Sequence, residues 1–176
     1  DPRLSAQYVE YPSPTGSGTM RGYLVRPAKA TGKLPGVLVV HENRGLNPHI
    51  EDVARRVALE GLMAFAPDAL FPLGGYPGNE DKARELFPKL DQAKTREDFV
   101  EAAKWLKGRA DSTGKVAVVG FCYGGSIANM LATRLPDLNA WAGDGILANF
   151  DDRRIASAVK RWGVPVVGVG GGYGYY

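Results

Sequence analysis

The sequence has little of the two residue types that most often mark catalytic or metal chemistry: one cysteine, Cys122, and two histidines, His41 and His49. A lone cysteine excludes an internal disulfide and any multi-cysteine metal centre. No apolar run approaches the roughly 20 residues of a membrane-spanning helix. Excess charge is also scarce. The 22 Lys and Arg against 19 Asp and Glu leave a net charge of +3, with both signs interspersed, so there is no basic footprint for nucleic acid. Gly168-x-Gly170-Gly171 is a weak phosphate-loop string, because no helical pattern follows it. The expectation is therefore no cofactor, no metal, no nucleic acid and no membrane partner. The chain opens Asp1-Pro2 without methionine, which reads as a trimmed or processed start, and no compartment follows from these residues.

What is present is the alternation of an α/β protein. At 176 residues, 44% of them hydrophobic, the chain suits a single domain with a sizeable core. Gln7 to Tyr11 and Met20 to Arg26 read as strands, joined through the turn-rich Pro12 to Gly18 segment as a hairpin. Gly36 to Val40 is a continuous apolar run, as expected of a strand buried on both faces. Ile50, Val53, Ala54, Val57 and Ala58 recur at helical spacing over Pro48 to Glu60, ahead of Gly61. Leu62 to Ala66 reads as the next strand and Asp68 to Glu80 as a long loop. Helices over Asp81 to Leu86 and Lys94 to Lys107, a strand over Lys115 to Val119 and a helix over Gly124 to Arg134 follow. The pattern then predicts a strand at Gly145 to Ala148, a helix at Asp151 to Arg161 with Asn149 or Asp151 as cap, and a strand at Val164 to Val169. Together these make one mostly parallel, doubly wound sheet with helices on both faces. Residues 173–176 read as a mobile tail.

The chemistry concentrates at Gly120-Phe121-Cys122-Tyr123-Gly124-Gly125, a G-x-C-x-G string between a predicted strand and a predicted helix. A nucleophile at such a turn sits on strained backbone, and a side chain at either flanking glycine, Gly120 or Gly124, would clash. The bland alternative is a buried structural cysteine, because free Cys packs like a small hydrophobe. The strand–turn–helix context favours the nucleophile position. Both histidines precede Cys122, whereas elbow enzymes of this chain order place acid and base after the nucleophile. His41 is read as a strand-end residue ordering the adjoining loop rather than a substitute base, and His49 as a first-turn helix residue. Asp68 is read as a turn or cap residue.

Three stretches, Gly36 to His49, Ala66 to Leu70 and Val119 to Gly125, together resemble the dienelactone hydrolase family of the α/β-hydrolase fold. The resemblance covers residues 1–139. It implies Cys122 as nucleophile, Glu42 as the carboxylate that pairs with the resting thiol, and the backbone amides of Asn43 and Tyr123 as an oxyanion hole. It also implies a small ester or lactone as substrate. The family's carboxylate-binding arginine is not matched in Phe71-Pro72-Leu73-Gly74-Gly75, which argues against dienelactone itself.

Beyond Asn139 the hydrolase continuation is not recognisable. Residues 141–172 resemble instead a segment of a LacI-type, xylose-responsive regulator, so the chain reads as a possible chimera joined near Ala140. The expected fold is then an α/β-hydrolase sheet shortened at its C-terminal side, and the expected activity weak or absent for want of the triad's Asp and His. The alternative is an engineered or recombined α/β fold without enzymatic function. A strand at Val164 to Val169 would leave an exposed edge able to pair with a second copy.

Overall fold

The computed structural model describes residues 1–144, and the expected strand, helix and strand over 145–169, the edge pairing and the tail lie outside the described residues. Six strands form one sheet in the order β1-β2-β4-β3-β5-β6. They are β1 (Leu4–Ser13), β2 (Gly18–Pro27), β3 (Leu34–Val40), β4 (Met63–Pro67), β5 (Ser112–Phe121) and β6 (Ala140–Asp144). The helices are α1 (Pro48–Leu59), α2 (Glu80–Leu86), α3 (Gln92–Gly108) and α4 (Tyr123–Arg134). β1 and β2 form an antiparallel hairpin, β2 meets β4 antiparallel, and β4, β3, β5 and β6 are parallel to one another.

Strand alternation divides the core in two. Leu24, Leu38, Val40, Met63, Phe65, Val116 and Val118 point to the face covered by α3 and α4, against Phe99, Leu106, Ile127 and Leu131. Their sequence neighbours Val25, Val39, Ala64 and Ala66 point to the face covered by α1, against Ile50, Ala54, Val57 and Ala58. This is why the central strands are apolar without interruption: both pleat directions are buried.

The elements run somewhat longer than the sequence pattern marks. The hairpin extends to Ser13 and Gly18 because Asp98 of α3, 2% exposed, accepts hydrogen bonds from Ser13 Oγ (2.5 Å), Ser17 N (2.8 Å) and Ser17 Oγ (2.7 Å). The turn is thus clipped to a residue 81 to 85 positions away, information that no local window contains. The segment expected as loop over Asp68 to Glu80 includes a 3₁₀ turn at Phe71–Leu73, and Glu80 already opens α2, whose cap is Asn79. The stretch where a foreign segment was expected to begin is β6, which pairs Ala140 with Ala117 through to Asp144 with Phe121 and so continues the sheet. Its Ala, Gly and Asp residues carry little strand propensity, so the register with β5, rather than local preference, defines it.

Candidate active site

The four parallel strands end on one side of the sheet, and the connections diverge there. From β3 the chain crosses to β4 on one flank, and β5 returns on the other. The crevice between the ends of β3 and β5 is therefore a topological switch point, where open α/β sheets place their sites. The β3–β5 register pairs Val40 with Gly120. Two residues past that pair lie Glu42 on one chain segment and Cys122 on the other, so topology brings the thiol-bearing turn beside the Glu42–Asn43 loop.

Cys122 has φ 51° and ψ −110°, and it is the one non-glycine residue with positive φ among the described residues. Such a conformation costs on the order of 1–3 kcal/mol for a residue with a Cβ and persists only where its surroundings enforce it. Those surroundings are the two glycines. A Cβ on Gly120 would lie 2.0 Å from the carbonyl oxygen of Gly124, and one on Gly124 would lie 2.4 Å from the carbonyl oxygen of Val40. The thiol is free and exposed. Behind it the Cys122 carbonyl accepts from Gly125 N at 2.9 Å, starting α4. The first amides of α4, including that of Tyr123, have no partner within the helix and carry its positive end.

The Tyr123 side chain turns inward. It packs edge-on against Phe87 with centroids 4.7 Å apart, stacks parallel to His41 at 6.5 Å, and its hydroxyl donates to Gln92 Oε1 at 3.3 Å. Burial pushes its phenol up to about 12. Tyr123 is thus a neutral anchor tying the elbow to α3.

His41 is fully buried, and its two ring nitrogens are both engaged. Nε2 lies 3.1 Å from the amide nitrogen of Ala69, a pure donor, so Nε2 must be the acceptor. Nδ1 lies 2.5 Å from the Glu42 carbonyl oxygen, a pure acceptor, so Nδ1 must carry the proton. One neutral tautomer satisfies both, and burial accordingly holds the imidazole below its usual range. With no lone pair left for Cys122, His41 orders the loop and does not serve as a base. His49 is exposed in the first turn of α1.

The loop after β3 is held along its length. Gly45 has φ +71°, Asn47 N donates to Gly45 O at 2.9 Å, and Asn47 caps α1 by accepting from Ile50 N at 3.0 Å. Glu80 of α2 meets this loop twice, through Asn47 Nδ2 at 3.1 Å and Arg44 Nε at 3.4 Å. Glu42 and Asn43 are half-buried within it.

The sequence reading gave Asp68 a turn role only, and it passed over Arg21. Asp68 is 1% exposed, and its Oδ1 accepts from Leu70 N at 3.1 Å and from Leu46 N at 3.4 Å. The first bond is the local side-chain-to-backbone turn that an Asp after a strand announces. The second, across 22 residues, has no sequence signal. Arg21 of β2 reaches the loop after β4, its guanidinium 5.0 Å from the Phe71 ring centroid and 5.1 Å from that of Tyr8. A cation therefore stands beside Phe71-Pro72-Leu73 even though that segment contains none. Among the described residues no cluster of three or more His, Cys, Asp or Glu could hold a metal ion.

A strained, glycine-flanked cysteine thus stands at the strand-to-helix turn beside the switch point of the sheet. The profile of the dienelactone hydrolase family matches residues 20–171, and the chain belongs to that family. A candidate carboxymethylenebutenolidase of Yersinia pestis is 33% identical over 130 residues, which cover 72% of this chain and 49% of that protein. A candidate hydrolase fragment of Escherichia coli K12, YghX, is 65% identical over 91 residues, 52% of this chain and 78% of that one. Among solved structures, a candidate dienelactone hydrolase from Klebsiella pneumoniae superposes with a TM-score of 0.64 at 32% identity, covering 83% of this chain and 62% of that chain. The chain thus spans about half the length of the carboxymethylenebutenolidase relatives it matches. The family match crosses Ala140 without a break, and the regulator-like origin expected for residues 141–172 finds no support in these likenesses.

Proposed function

We propose that this chain carries the acylation half of a thiol-dependent ester or lactone hydrolase. The carrying observation is the backbone of Cys122, whose φ of 51° between two sterically obligatory glycines serves no packing purpose for an exposed side chain. In this reading the Cys122 thiolate attacks the acyl carbon, forming a C–S bond while the carbonyl pair moves onto oxygen. The amides of Asn43 and Tyr123 receive that oxyanion, the role in which fixed dipoles contribute most. Collapse expels the alkoxide, which takes up the proton that the thiol released on becoming thiolate, and leaves a thioester on Cys122. Glu42 pairs with the thiol at rest. The substrate is a small ester or lactone, the class that the names of the relatives point to.

Deacylation requires a base to activate water. Neither histidine supplies one: His41 has both nitrogens bonded to backbone, and His49 faces solvent on α1. No histidine follows Cys122 in the sequence. The expected behaviour is stoichiometric acylation with turnover weak or absent. Hydrolysis of p-nitrophenyl acetate by the parent and by Cys122→Ala, with intact-mass detection of an acetyl adduct, tests this. One acetyl group on the parent and none on the variant is the expected result. Steady turnover lost in Cys122→Ala would overturn the missing-base reading, and no adduct at all would favour the alternative of a fold without enzymatic function.

A further inference from the structure

We infer that Asp68, at the end of β4, is a positioning residue for the Cys122 site: it fixes the Glu42–Asn47 loop from the neighbouring strand and thereby sets the environment of the thiol. The inference deepens the hydrolase reading above, which gives that loop its role, but it is carried by separate geometry.

Asp68 and His41 together read four backbone groups on two loops. His41 takes the Ala69 amide on one nitrogen and holds the Glu42 carbonyl with the other. Asp68 Oδ1 takes the next amide, Leu70, and reaches back across the gap to that of Leu46. Glu42 and Asn43 are thus pinned at both ends, by the Glu42 carbonyl on one side and the Leu46 amide on the other. A cap needs only its own turn. An Asp placed for the Leu70 turn alone would need neither 1% exposure nor a second acceptor contact 22 residues away. The packing is close as well: a Cβ on Gly45 would stand 2.6 Å from Leu70 Cδ1 and 3.3 Å from Asp68 Oδ1. The loop backbone therefore lies directly on the β4 turn. The neutral His41 imidazole just past β3 and the Arg21 guanidinium on β2 face it, and burial lifts the Asp68 carboxyl above its ordinary range while His41, the two amide hydrogen bonds and Arg21 oppose that shift.

Two predictions separate this role from simple structural support. Because Cys122 is the sole cysteine, alkylation by iodoacetamide reports on one site and requires no hydrolase activity. Second-order rates measured from about pH 6 to about pH 10 give a profile of thiolate fraction and access. Asp68→Ala removes the acceptor, and its profile should depart from the parent's by about fivefold in rate, the range for residues acting through packing. Asp68→Asn keeps a carbonyl oxygen that can accept both amides, and its profile should return to within about twofold. Should Asp68→Ala fail to fold, Gly45→Ala displaces the same contact from the loop side and should show the same departure. Asp111→Ala, which breaks the ion pairs with Arg26 and Arg109 at the opposite end of the sheet, should leave the profile unchanged. A folded Asp68→Ala or Gly45→Ala with the parent's profile overturns the inference, as does an equal departure in Asp111→Ala. Absence of an acetyl adduct in the ester experiment would reject the hydrolase reading and leave this result standing.

Discussion

The strand ends that meet at the candidate site are shaped by two different means. At the end of β5 the backbone is forced by what is missing: Gly120 and Gly124 have no Cβ, so strand and helix close on each other and Cys122 is thrown into a left-handed conformation. At the ends of β3 and β4 the backbone is held by what is present, the buried side chains of His41 and Asp68 each bonding one backbone group on its own loop and one on the other's. Steric exclusion acts here both between near neighbours, Gly120 against Gly124, and across strands, Gly124 against Val40. Hydrogen-bond reading acts across strands. The elbow should therefore fail abruptly when bulk is added, and the loop pair should fail by degrees as acceptors are removed.

The sharpest way to break the elbow is Gly120→Ala. A new methyl 2.0 Å from the Gly124 carbonyl oxygen can be relieved only by moving backbone. The expected loss is about 3 kcal/mol or more, read from urea denaturation midpoints. A loss under about 1 kcal/mol would mean the turn can yield and that the steric account is wrong.

On the other side, Asp68→Ala strands two buried amides and should cost about 2 kcal/mol in the same measurement, with Asp68→Asn costing less than half of that. Equal losses for the two variants would show that charge, rather than the acceptor, is what Asp68 contributes.

The strain at Cys122 is testable by comparing two truncations. Cys122→Gly should be more stable than Cys122→Ala by about 1 kcal/mol, because glycine alone adopts this φ without cost. Indistinguishable midpoints would remove the strain from the argument.

The smallest effect is in pH. Burial holds His41 below its ordinary value of 6.5, so as pH falls through 6.5 the unfolded chain takes up a proton that the folded chain refuses, and stability drops. Asp68 works the other way. Its carboxyl is lifted above the ordinary 3.8, so the folded chain binds that proton first and gains stability as pH falls through the raised value. Unfolding midpoints for the parent should therefore decline on the acid side of 6.5, and His41→Gln, though less stable overall, should show a flatter slope there. An unchanged slope would contradict the neutral tautomer assigned from the hydrogen bonds.

The candidate site was legible in the sequence to the extent that it is built locally. Gly120-x-Cys122-x-Gly124 between an apolar run and a helical stripe reads as an elbow from the string itself; the clash that requires Gly120 is local, with Gly124, whereas the clash that requires Gly124 is with Val40 on the neighbouring strand. His41 as a loop-ordering residue was also readable, and its buried, doubly bonded ring agrees. Asp68 was readable only as a turn residue. Its bond to Leu70 is local, while its bond to Leu46 exists because β3 and β4 lie side by side. Arg21 shows the same limit. Nothing near it in the chain indicates Phe71, and the antiparallel pairing of β2 with β4 brings the two together.

Composition and periodicity alone determined that this is a two-faced, mostly parallel α/β sheet and that its one thiol sits at a strand-to-helix turn. Those features follow from side-chain alternation and from the absence of Cβ atoms at fixed spacing, both properties of short segments. Only the tertiary structure decided which strands adjoin, and with that which carboxylate meets which loop. The strand order β4-β3-β5-β6 brings the segment after β3 alongside the turn after β5, sets Asp68 beneath the Leu46 amide, and makes a strand of Ala140–Asp144. Pairing between distant segments is an energy of the whole sheet, and no stretch of the sequence carries it alone.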